Sequence, residues 1–162
     1  MTTMKITTAD HEAAFVQSAL DSLHRDHKLA EAIALTFGKC ESAAAVIDLI
    51  FPLITKKRRV DYVLMYSIVS NPRTLLQFLR AADSRLRQTV AWAPASVDAS
   101  LRAAAAAADL GWDRAQRVLK CCVLFSDSPL EIVASIAFLG RHETASRLRS
   151  AAHNVELSHL VN

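Results

Sequence analysis

The residues in this chain best placed to do chemistry are basic. Lys56-Lys57-Arg58-Arg59 sets four cations side by side, and Arg73, Arg80 and Arg87 recur at seven-residue spacing, two helical turns apart. Four adjacent cations near a helix start suit phosphate oxygens, or an import receptor in a eukaryotic or viral setting. An arginine stripe on one helical face suits phosphates or an acidic partner. A solvated surface is the plain alternative for both. Charge is spread unevenly along the chain. Residues 56–87 hold eight Lys and Arg against two Asp, whereas residues 1–55 hold four against seven Asp and Glu. The formal net charge of +3 therefore conceals a basic middle segment.

Other constellations are weaker. His24 and His27 are an i, i+3 pair with Asp21 and Asp26 nearby, but zinc needs further ligands from elsewhere. His11 opens HEAAF, with Phe15 standing where an HExxH motif has its second histidine. Cys40, Cys121 and Cys122 show no CxxC spacing, which argues against a disulfide framework or zinc site and fits a reducing compartment. Gly38, Gly111 and Gly140 each read as a helix stop, so no glycine is left for a phosphate cradle, and GxSxG is absent. No catalytic residue, metal or cofactor is expected. The six phenylalanines fall mostly on apolar stripes, which assigns them to the core and not to base stacking.

These side chains must be positioned by helices. Hydrophobic residues make up 52% of the 162, with only 3 Gly and 4 Pro. Much of that content is Ala and Leu, and no Asn-Gly or Asp-Gly hairpin turn appears. An all-α fold of about seven helices follows, as a compact helical-hairpin stack or an irregular bundle. Its centre is Asn71 to Trp92: Asn71 as N-cap, Pro72 at the first helical position, and Leu75, Leu79, Ala82, Leu86 and Val90 on one face, widened by Leu76 and Phe78. Ala93-Pro94 should end it.

Before it, a long helix is expected from Thr8 or Asp10 towards Gly38, bending near residues 24–28. A second, Ser42 to Phe51, should be central to the core and end at Pro52. Val60 to Ser70 is ambiguous between helix and strand; Val60, Val63, Leu64, Ser67 and Ile68 form a helical stripe. Were it antiparallel to the central helix, the 56–59 cluster would lie beside Arg87.

Beyond the centre, Ser96 should cap an Ala-rich helix ending at Leu110-Gly111, and Trp112 to Phe125 forms another. Ser128-Pro129-Leu130-Glu131 reads as a helix start, with the helix stopping at Gly140 and a last one running from Arg141 to about His153. The Leu-Gly pairs lie 29 residues apart, and AQRVLK resembles ASRLRS, as in two stacked hairpins. Residues 1–7 are expected as a flexible arm, 8–155 as a single helical domain and 156–162 as a frayed tail. No secretory signal is evident, and Ala43 to Ile54 is too short and too interrupted to span a bilayer.

The function these residues favour is a non-enzymatic protein–protein interaction module, an adaptor or regulator, with a protein partner and a homo-oligomer as an option. The alternative is a nucleic-acid-binding protein contacting phosphates through Lys56, Lys57, Arg58, Arg59, Arg73, Arg80 and Arg87. A helical enzyme without a recognisable motif comes third. The expected location is intracellular and cytoplasmic, or nuclear should Lys56–Arg59 be an import signal.

Overall fold

The computed structural model describes residues 27–36, 38, 39, 42–55 and 60–160. The expected arm, the start of the first long helix, Cys40 and the Lys56–Arg59 run lie outside the described residues. Among the described residues there are seven helices and no strand, so the all-α expectation holds. No described helix is long and apolar enough to cross a membrane. The chain divides into two compact units, Met1–Thr55 and Lys56–Asn162.

The first unit contains α1 (His27–Ala34) and α2 (Ala43–Ile54), which pack on each other. The chain turns at Gly38, whose φ of +72° is the left-handed conformation that glycine adopts without a Cβ penalty. Ser42 caps α2 by accepting the Ala45 N–H at 3.2 Å. Pro52 does not end the helix. It removes one backbone donor near the C-terminus, and the next turn still closes through Thr55 N–H to the Phe51 carbonyl at 3.1 Å. Nor is α2 apolar inward only: Ile50 and Leu53 are buried, while Ile47, Phe51 and Ile54 are about half exposed.

The second unit is built around α4 (Pro72–Gln88) and α7 (Ile132–Leu160), which share the most extensive contact surface. The helices α3 (Tyr62–Ile68), α5 (Pro94–Ala107) and α6 (Trp112–Val123) complete it, α5 resting on α4 and α3 packing against α6. As the spacing predicts, Leu75, Phe78, Leu79, Ala82 and Leu86 of α4 are buried. Each of the Leu and Phe side chains contributes about 1.5–3 kcal/mol by leaving water. Val90 departs from that stripe and is 96% exposed, because the helix stops at Thr89 and the chain leaves the core.

The ambiguous segment is helical, but its buried face is Met65, Ile68 and Val69, and Val63 is 84% exposed. Packing on α6 decides that face: Cys122 Sγ lies 3.4 Å from Met65 Sδ. Pro94 starts α5 instead of ending α4; Ala93 is extended and Ser96 is no cap. The Ser128-Pro129 signal is displaced as well. Ser128 accepts the Leu130 N–H at 3.2 Å, yet the helix begins at Ile132, with the Glu131 carbonyl accepting the Ser135 N–H.

Gly140 breaks α7 into two arms, with φ 81° and ψ 167°. That region of backbone space is essentially restricted to glycine. The other Leu-Gly pair is built differently: Gly111 has φ −58°, and Asp109 takes the left-handed position with φ 51°. Nothing lies within 4 Å of where a Cβ on Gly140 would sit, so Gly140→Ala meets backbone strain alone. The expected cost is about 1–3 kcal/mol in chemical denaturation. Gly111→Ala, without positive φ, should shift the midpoint far less.

Candidate functional site

The arginine stripe is held by α4. Asn71 Oδ1 accepts the Arg73 N–H at 2.9 Å and fixes the helix start, so the seven-residue spacing places the three guanidinium stems on one side. Their surroundings differ. Arg73 is exposed and makes no ion pair with a described residue. Arg80 reaches Glu156 Oε1 of α7 at 2.9 Å, with both side chains about half exposed. Arg87 pairs with Asp83 one turn back, and that carboxylate is buried. Arg87 binds Asp83 Oδ2 and neutralises this interior charge, while the buried Oδ1 accepts no hydrogen bond. Gln77, between Arg73 and Arg80, donates to the Ala107 carbonyl at 2.7 Å and closes the end of α5.

Two arginines of α7 have roles that spacing alone did not assign. Arg141 donates to the carbonyls of Arg87 and Val90 at 3.4 Å and to that of Thr89, at the end of α4, with its guanidinium 5.5 Å from the Trp92 ring. Trp92 in turn donates its Nε1–H to the Ala137 carbonyl at 3.0 Å. Arg147 is 1% exposed. It donates to the Val123 carbonyl, the last of α6, and to Glu143 Oε1 at 2.8 Å, and stacks 5.0 Å over Phe125. Each arginine thus satisfies carbonyls that a helix end leaves unpaired. A signal for Arg147 was present: it falls on the stripe Thr144, Ala151, Val155, all of which are buried. It is not among the residues singled out from the sequence.

The cysteines of α6 are interior residues. Cys121 and Cys122 are both buried and free. Burial pushes the Cys121 thiol up to about 11, with Asp61 and Asp127 adding to it, and burial raises Cys122 further. A thiol raised in the folded state stays neutral there while the unfolded chain ionises it. Stability is therefore full below the ordinary value of 9.0 and falls as pH rises through it towards 11. Urea midpoints measured across that window should decline, and Cys121→Ala should flatten the decline. Of the His24/His27 pair, His24 lies outside the described residues, while His27 begins α1. Among the described residues no three His, Cys, Asp or Glu side chains gather as a metal site would require.

The basic middle segment, exposed arginines and helical scaffold acquire a context from comparison with known proteins. A family model described as the anticodon binding domain matches residues 11–152. The chain belongs to this family. No individual curated protein matches the chain. The anticodon binding domain is a nucleic-acid-binding class, and this overturns the adaptor reading drawn from the sequence. That reading rested on the lack of visible chemistry, and phosphate recognition by scattered Lys and Arg leaves no compact motif to see. The match favours the nucleic-acid alternative.

Proposed function

We propose that this anticodon binding domain grips the anticodon arm of a tRNA, with Lys and Arg side chains of its second unit holding the phosphates. The family match over residues 11–152 carries this reading. The residues assigned to phosphate contact are Lys56, Lys57, Arg58 and Arg59 with Arg73, Arg80 and Arg87. Their charge supplies affinity and orientation, while sequence must be read from unstacked bases. In this reading the domain contributes recognition, with no catalytic step assigned to its residues, and a tRNA partner fits a cytoplasmic location.

Anisotropy titration with a labelled tRNA pool and with a DNA duplex of equal charge, at about 50 and 200 mM salt, tests it. Tighter binding of tRNA that survives at the higher salt is expected. Equal affinity for both, vanishing at the higher salt, would reduce the interaction to unspecific charge attraction.

Glu156 works against that surface, because its carboxylate occupies Arg80. Glu156→Gln should raise tRNA affinity about two- to threefold at low salt, the scale of a surface ion pair. The same change should leave thermal stability within roughly 1 kcal/mol.

A further inference from the structure

In the second unit, a cleft of about 360 Å³ opens between the start of α3, the end of α6 and the second arm of α7. Its walls include Tyr62, Cys122, Phe125, Arg147, Ser150 and Asn154. We propose that this cleft receives one unstacked nucleobase of the bound RNA, with Phe125 and Tyr62 supplying ring surface and Asn154 the polar edge. The proposal rests on the RNA-binding reading above and names the subsite within it.

Four features support a base over other occupants. The volume is at the lower end for ligand pockets, enough for one planar ring system and too small for a helix face or a duplex. Two aromatic side chains and the buried Cys122 make the lining largely apolar, as stacking requires. The polar groups are few and fixed. Asn154 donates to Tyr62 Oη at 2.7 Å, which orients the amide. An amide has two donors and one acceptor, so this bond leaves a donor and the carbonyl oxygen side by side, the complement of a base edge.

The fourth feature is rigidity. Arg147 stands in the wall, its guanidinium anchored by the Val123 carbonyl, by Glu143 and by stacking on Phe125. This buried, ion-paired group fixes the Phe125 ring in place without conformational freedom. In sequence, Val60 of the lining directly follows Lys56–Arg59. The residues assigned to the phosphates therefore adjoin those assigned to the base.

The test uses the full chain and anticodon-arm hairpins carrying 2-aminopurine at one loop position at a time, with matching hairpins abasic at that position. Ser150, on the exposed rim, is changed to Trp to fill the cleft; Asn154→Ala removes the polar edge and decides the matter should S150W melt early. At one loop position wild type should change the 2-aminopurine emission. There each variant should lose roughly tenfold in affinity for the base-bearing hairpin, bind the abasic hairpin as wild type does, and keep the wild-type salt dependence. Variants that bind the base-bearing hairpins like wild type, with no emission change at any position, would overturn the subsite alone. Wild type that binds no hairpin would overturn the RNA-binding reading with it.

Discussion

Arg147→Ala is expected to lower the stability of the protein by about 3–5 kcal/mol, the cost of breaking a buried charged pair. The guanidinium is 1% exposed and holds three things together: the last carbonyl of α6, Glu143 of its own helix and the ring of Phe125. Alanine leaves the Val123 carbonyl without its donor, Glu143 without its cation and a void beside Phe125. Against a typical total of about 5–15 kcal/mol, this is a large share. Thermal melting should show a drop of roughly 10 °C or more. Arg149→Ala, two residues on and exposed, is the control and should move the midpoint little. A midpoint for R147A within a degree or two of wild type would mean that the α6–α7 junction is held by apolar packing alone.

The second large effect concerns binding. Each phosphate contact contributes about 0.7–0.9 to the slope of log affinity against log salt. Arg73→Ala with Arg80→Ala should therefore lower the slope for tRNA by roughly 1.4–1.8 and weaken binding roughly tenfold or more at low salt. Neither residue supports a buried group, so the double variant should keep its melting temperature. Arg87 is left out deliberately: its removal strands the buried Asp83 carboxylate and would confound affinity with stability. An unchanged slope would place the phosphates elsewhere on the surface.

Much of the fold was legible in the sequence wherever local chemistry and packing agree. Asn71-Pro72 starts α4, and Leu75, Leu79, Ala82 and Leu86 are its core face, because cap, proline and period all point the same way. Errors came where the deciding partner is remote. The end of α4 is capped by Arg141, more than fifty residues on, so spacing carried the stripe one turn too far to Val90. In α3 both faces are apolar, and only the neighbour α6 decides that Met65 goes in and Val63 stays out. At Pro94 both preferences of proline are met, since Ala93 is extended and Pro94 opens α5; the pair starts a helix and does not end α4, which has already stopped at Gln88.

The site was legible in part. Charge asymmetry drew attention to the arginines of α4, and the structure separates them by environment: Arg73 exposed, Arg80 opposed by Glu156, Arg87 tied to Asp83. Arg147 was missed because a buried arginine looks the same in sequence as a solvated one, except that it occupies a core position on the stripe. The Tyr62–Asn154 pair joins residues 92 apart and leaves no local trace.

The central claim is that the domain recognises the anticodon arm. Its most direct test is competition between two hairpins from one tRNA, the anticodon arm and the acceptor stem, for the same labelled tRNA at about 200 mM salt. The anticodon hairpin is predicted to displace the label at concentrations at least tenfold lower than the acceptor hairpin. Equal displacement by the two, or stronger displacement by the acceptor stem, would contradict the account.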